Sequence, residues 1–396
     1  MNNQKPLNVA LALVGLLALG IYVLACTSFS PDDTKILYPA FDAPGGAIGM
    51  AVYDRETKGT EMLFLPLAYE AQSNNIVKVP CLMRAEWVAG GREIVVSHYS
   101  WQNSSTNKEN LDLALIPYGV RKPIRTFRVP ASEDAAESLL WPICIVGERV
   151  FLQVSKRGIA RLDVRTGAIA THQFEGGTND VTLYPAPDGK SVFCFESSNK
   201  NEEGCIVSRL NPDDFRRTPL MLWTNNFHDE GVIACDKGGR MLAFLGKGRE
   251  TNSLLVLRDG RQVFGRSLDT HGQERCFGNA ILNPNGNALW ATFARSVGTN
   301  ATCYGLMEIP FSDAPPHELT LISNVPSHDP DKAMYFQVGI SHDGKTAAIA
   351  STYLACTEKE FNSADCALFL VDLSKPEWPV TKVPIPMPAE RPDLPH

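Results

Sequence analysis

The sequence predicts an all-β fold, a seven-bladed β-propeller of four-stranded antiparallel blades behind an N-terminal hydrophobic helix. Three observations carry that expectation. A short phrase, a turn around Gly or Asp followed by a hydrophobic run, recurs seven times along 396 residues. A second hairpin phrase follows several of the copies at a matching offset. Finally, Gly 30 and Pro 27 give turn-rich usage, with no long helical periodicity beyond the N-terminus.

The first phrase begins SPDDTKILY at Ser30, AGGREIVVS at Ala89, VGERVFLQV at Val146 and APDGKSVFCF at Ala186. It continues with DKGGRMLAFL at Asp236, NPNGNALWATF at Asn283 and SHDGKTAAIA at Ser341. Aligning Asp33, Gly91, Gly147, Gly189, Gly239, Gly286 and Gly344 gives steps of 58, 56, 42, 50, 47 and 58 residues. A repeat near that length with strand-like content is the signature of propeller blades. The first copy departs from the pattern, with Asp33 in place of Gly, and the third lacks the Pro-Asp pair.

The second phrase follows the variable loop in several copies. Examples are IGMAVYDRETKG (Ile48 to Gly59), IARLDVRTGAI (Ile159 to Ile169), LLVLRDGRQV (Leu254 to Val263) and ALFLVDLSKPE (Ala367 to Glu377). An Asp that bonds its own backbone, followed by Gly for a positive φ, is hairpin chemistry. Each unit therefore reads strand, Gly turn, strand, loop, strand, Asp turn, strand. Radial closure of such blades leaves few exposed edges.

The SPDGK-like phrase followed by a VxDxxTG strand resembles the TolB-like, or WD-like, propeller repeat of bacterial exported proteins. The resemblance spans Ser30 to Pro388, with Gly189 and Gly344 in the cleanest copies. It implies the propeller fold and a habit of binding proteins or ligands; it carries no catalytic residues.

Residues 1–26 read as a signal peptide or membrane anchor, 27–388 as the propeller and 389–396 as a flexible tail with no further domain. Residues 7–25 are apolar apart from Asn8. As a helix they span about 28 Å, close to the hydrocarbon thickness of a bilayer. Three fates stay open for this segment. Val23-Leu24-Ala25-Cys26 resembles a lipobox with Cys26 as the lipidated residue; Val-x-Ala also suits signal peptidase; the third alternative is an uncleaved anchor. Each predicts a body outside the cytoplasmic membrane, in the cell envelope on its periplasmic or extracellular side. Almost no linker separates residue 25 from the first strand, so a tethered body is expected to turn its long-loop face to the bilayer.

A formal net charge of -7 without a run of like charges argues against nucleic acid as a partner. Of ten cysteines, Cys194 and Cys205 bracket one hairpin loop, and Cys356 and Cys366 bracket the corresponding loop of the last copy. In an oxidising compartment these are disulfide candidates, against the alternative of ordinary core cysteines. Cys81, Cys144, Cys235 and Cys276 fall on expected innermost strands.

Binding residues of a propeller gather on connections from the outer strand of one blade to the inner strand of the next. Four such segments are polar: GGTND (176–180), NNFHDE (225–230), DTHGQER (269–275) and SHDPDK (327–332). The candidate ligand-binding residues are therefore His228, Asp229, Glu230, His271, Glu274, Arg275, His328 and Asp329. Imidazole and carboxylate converging on the axis suit a metal ion or a cationic ligand. Solvated surface loops have the same composition.

No Gly-x-Ser-x-Gly elbow, phosphate loop, His-Glu-x-x-His or haem motif occurs. No cofactor, resident metal or catalytic residue is expected. The function expected is a non-catalytic scaffold that binds an envelope protein or small ligand on the loop face. The alternative is a metal-dependent propeller enzyme, lactonase- or lyase-like, built on the same axial loops.

Overall fold

The computed structural model describes residues 27–43, 47–63, 84–88, 90–100, 110–120, 123–130, 144–155, 157–175, 181–185, 191–197 and 205–223. It also describes residues 231–236, 240–247, 252–268, 275–283, 285–297, 301–326, 334–353 and 367–384. Every regular element among them is a strand, in seven antiparallel four-stranded sheets, each built from one contiguous stretch. The N-terminal segment 1–26 and the tail 389–396 lie outside the described residues.

Blade 1 is β1 (Ser28–Phe29), β2 (Lys35–Ala43), β3 (Ala47–Asp54) and β4 (Thr60–Leu63). Blade 2 is β5 (Arg84–Trp87), β6 (Glu93–Ser100), β7 (Asn110–Pro117) and β8 (Arg125–Pro130). Blade 3 is β9 (Cys144–Val146), β10 (Arg149–Gln153), β11 (Gly158–Asp163) and β12 (Ile169–Gln173). Blade 4 is β13 (Val181–Pro185), β14 (Val192–Ser197), β15 (Cys205–Leu210) and β16 (Arg217–Trp223). Blade 5 is β17 (Gly231–Cys235), β18 (Met241–Lys247), β19 (Asn252–Arg258) and β20 (Arg261–Ser267). Blade 6 is β21 (Arg275–Leu282), β22 (Ala288–Val297), β23 (Ala301–Pro310) and β24 (His317–Pro326). Blade 7 is β25 (Met334–Ile340), β26 (Thr346–Tyr353), β27 (Ala367–Asp372) and β28 (Val380–Pro384).

First strands adjoin one another around the ring: β17 meets β21, β21 meets β25, β25 meets β1, β1 meets β5, and β9 meets β13. The first strand of each blade is thus innermost. The first-to-second and third-to-fourth turns lie at one end of the ring. The second-to-third loops and the crossings to the next blade lie at the other. We call these the turn face and the loop face.

The second strands explain the hydrophobic runs of the repeat. In β2, Ile36 and Tyr38 join a core shared with blades 6 and 7, while Leu37 joins the core shared with blade 2. In β10, Val150 and Leu152 pack against blade 2 and Phe151 against blade 4. In β14, Val192 and Cys194 face blade 3, whereas Phe193 and Phe195 face blade 5. Both faces of each second strand are buried between neighbours, so its sequence is a continuous apolar run and not an alternation. Cys144 on β9 is fully buried, as expected of an innermost strand, and Cys235 is half-buried.

The five aligned turn residues that fall among the described residues share one conformation. Asp33, Gly91, Gly147, Gly286 and Gly344 have φ of 58°, 67°, 63°, 65° and 70°. At the head of the phrase a polar side chain accepts from the backbone five residues on. Ser30 Oγ accepts from Lys35 N, Asp236 Oδ1 from Met241 N, Asn283 Oδ1 from Ala288 N and Ser341 Oγ from Thr346 N. Ser30 Oγ donates in turn to Asp32 Oδ1 (2.6 Å) and Ser341 Oγ to Asp343 Oδ1 (2.7 Å). Ser, Asp and Asn recur here because each supplies an oxygen on a short stem.

Asp33 shows why the first copy dispenses with Gly. The left-handed backbone costs a non-Gly residue roughly 1–2 kcal/mol, less for Asp. In exchange its Oδ1 accepts from His342 N (2.9 Å) and meets His342 Nδ1 (2.7 Å) across the boundary with blade 7. We expect Asp33→Gly to lower the thermal midpoint despite its easier backbone, and Asp33→Asn to lower it less. A higher midpoint for Asp33→Gly shows that turn geometry outweighs the contact.

Asp32 sits with its pKa lowered to about 2, chiefly by the Ser30 hydroxyl and then by the backbone and side chain of Thr34. A carboxyl depressed on folding stabilises the protein above its unfolded value of about 4, and that contribution disappears as pH falls toward 2. Ser30→Ala is expected to raise the Asp32 pKa and move part of the acid destabilisation to higher pH. Carboxyl NMR titration with melts between pH 2 and 5 checks both.

Candidate functional site

The strand order places the four polar segments where the sequence analysis expects them, on crossings from a fourth strand to the next first strand. Residues 176–180 join β12 to β13, 225–230 join β16 to β17, 269–274 join β20 to β21, and 327–332 join β24 to β25. His228, Asp229, Glu230, His271, Glu274, His328 and Asp329 lie outside the described residues. Arg275 opens β21 on the rung of Arg295, at the loop-face end of an innermost strand.

The cysteine candidates divide in the same way. Cys26, Cys356 and Cys366 lie outside the described residues. In blade 4 the ladder sets Cys194 opposite Ser208 and Cys205 opposite Ser197, three rungs apart. Three rungs are about 10 Å along a strand, against the 4.4–6.8 Å Cα separation usual for a disulfide. The register does not bring this pair together, because Cys194 lies three rungs down the ladder from Cys205.

The polar machinery that the structure does display joins blade to blade, and sequence reading missed it. On the turn face, arginines of one blade donate to hairpin carbonyls of the next. Arg125 of β8 reaches Val164 O at 3.1 Å and Arg165 O in blade 3. Arg161 of β11 reaches Pro212 O and Asp213 O of blade 4 at 2.9 and 2.6 Å, with its guanidinium 5.1 Å from the Phe215 ring. Arg266 of β20 reaches Ala314 O of blade 6 at 2.6 Å. Arg165 pairs back to Glu93 of blade 2 at 2.7 Å. A planar, always-charged fork suits a carbonyl-lined turn whose last acceptors lack strand partners.

At the boundary of blades 1 and 7 an arginine reaches a hydroxyl of the neighbouring blade beside a His–Asp contact. Arg55 donates to Asp33 O (2.8 Å) and to Thr346 Oγ1 (3.1 Å), beside the Asp33–His342 pair. Nearer the axis, Glu86 of β5 accepts from Trp87 N at 3.0 Å. Burial pushes its pKa up, with the Trp87 amide, the Ser28 hydroxyl and the His342 charge pulling the other way.

Between blades 3 and 4, Glu196 of β14 is 8% exposed and holds two arginines. Arg157 Nη2 meets its Oε1 at 2.9 Å, and Arg217 Nη1 meets its Oε2. The Arg217 guanidinium lies 4.4 Å from the centre of the Phe174 ring. Removing the shared carboxylate strands two cations in a partly desolvated joint. Breaking such a pair from one side costs on the order of 3 kcal/mol. The exposed Arg240–Asp259 pair of blade 5 is its natural control. Glu196→Ala is expected to lower the denaturation midpoint clearly, and Arg240→Ala to leave it in place; equal shifts contradict the buried-joint account.

Among the described residues no three His, Cys, Asp or Glu side chains converge to hold a metal.

A scan against family models finds no match for this chain, and a search of curated proteins finds none. Solved structures do match. The complex of KlAtg21 with the coiled coil of AgAtg16 aligns at a TM-score of 0.53 and 12% identity, over 91% of this chain and 98% of that one. A candidate 6-phosphogluconolactonase from Bacteroides fragilis aligns at 0.51 and 12%, over 92% and 98%. TolB from Acinetobacter baumannii aligns at 0.40 and 14%, over 86% and 77%. The likeness is one of fold. The chain is a seven-bladed propeller.

Proposed function

We propose that this chain is an exported, membrane-tethered propeller that acts as a non-catalytic binding module of the cell envelope. It engages a protein or a small ligand through its loop face. The observation that carries this reading is the placement of the polar segments. Charged side chains at turn-face hairpins close on neighbouring blades. The polar segments holding His228, His271 and His328 all fall on blade-to-blade crossings at the other end. The apolar run 7–25 supports the tether. A propeller of similar fold holding a coiled coil, in the KlAtg21 complex, gives precedent for a protein partner.

The same three histidines also support a second reading, a metal-dependent propeller enzyme of lactonase or lyase type, for which the Bacteroides structure gives a precedent of fold. Metal analysis of the detergent-solubilised full chain, wild type against the triple variant His228→Ala, His271→Ala and His328→Ala, separates the two. The binding reading predicts no stoichiometric metal and an unchanged melt. A stoichiometric metal that disappears in the variant transfers the site to the enzyme reading.

A further inference from the structure

The structure adds a constraint to the tether, and from it we infer that the loop face of the ring lies directly against the bilayer in which residues 7–25 insert. This inference rests on the membrane reading of that segment. The occupant of the face is the lipid surface itself.

The argument starts at Thr27, which is buried at 5% exposure. A Cβ built on Gly339 of β25 would fall 2.3 Å from Thr27 O, so the backbone of residue 27 is seated against the innermost strand of blade 7. Ser28 and Phe29 then pair with Leu37 and Ile36, and Phe29 is packed in the core of blades 6, 7 and 1. From residue 27 onward the chain has no slack. It enters the ring as a first strand, and first strands begin at the loop face because each follows a crossing from the previous blade.

Two residue steps separate Ala25, the last apolar residue, from Thr27. Fully extended they span about 7 Å. The membrane segment thus emerges beside the axis of the ring, at its loop-face end, on a leash far shorter than the body. A ring fixed near its centre by so short a leash cannot roll to present its turn face. The eight residues of β26 mark the depth of the ring at about 26 Å, so the turn face stands that much farther from the lipid. A partner of the loop face must accordingly be reached at the membrane surface, from the side.

The test uses the full-length chain in lipid vesicles that carry a headgroup-linked energy acceptor. A fluorescent amino acid is introduced at Val297, which ends β22 at the loop face, or at Glu377, on the third-to-fourth turn of blade 7. Both positions are exposed. Ile206 at the start of β15 and Asp214 on the blade 4 turn provide a second pair, so failure of one variant to fold leaves the comparison intact. Energy transfer is expected to be several-fold stronger from Val297 than from Glu377, and stronger from Ile206 than from Asp214. Equal or reversed transfer in protein that floats with the vesicles overturns the orientation alone. Protein that stays behind on flotation overturns the membrane reading and this inference together.

Discussion

Everything in this fold depends on closing a ring without a shared strand. Each of the seven sheets is built from its own stretch of chain, so among the described residues no backbone ladder crosses from blade 7 to blade 1. β1 contributes only Ser28 and Phe29 to its sheet. Closure therefore falls to side chains. Phe29, Ile36, Tyr38 and Tyr53 of blade 1 meet Val338, Ile349 and Phe369 of blade 7 in one cluster, which runs on to Trp290 and Leu306 of blade 6. Dispersion and apolar burial carry that joint. Above it, Arg55, Asp33 and His342 add a polar clasp at the turn face.

The same division of labour runs around the ring. Apolar second strands fill every joint, and between blades 2 and 3, 3 and 4, and 5 and 6 arginines of one blade reach hairpin carbonyls of the next. A frame made this way leaves its opposite end to the crossings between blades, where length and composition vary without disturbing the ladders. That explains how one architecture hosts propellers as different as a coiled-coil binder and a candidate lactonase, both near 12% identity to this chain.

The fold was legible in the sequence because its strongest signals are local. The turn phrase needs one left-handed residue and one short polar cap, and both are written into adjacent positions. Even the deviant Asp33 is readable as Gly-equivalent, since it takes φ of 58°. The left-handed Phe215 gave no such signal. Phe215, at φ 60°, holds its conformation through packing, with its ring stacked on His172 and edge-on to Phe151. The arginine clasps and the Glu196 joint were invisible for a related reason: their partners lie on neighbouring blades, dozens of residues away, with no repeat spacing to announce them. The cysteine spacing in blade 4 left rung separation unread, because loop length along the chain does not give it; the ladder sets Cys194 and Cys205 three rungs apart. The polar segments were legible in position, as blade-to-blade crossings, and in nothing finer, because convergence from separate blades is not written in the spacing along the chain.

The most direct test of the account is native-state hydrogen exchange, comparing amides of β2 and β26, on either side of the closing joint, with amides of β10 and β14. If side-chain packing closes the ring as firmly as it joins the other blades, all four strands exchange through one global opening with the same free energy. Exchange from β2 and β26 at a distinctly lower opening free energy, with β10 and β14 still protected, contradicts it and makes the joint between blades 1 and 7 a separate, weaker unit.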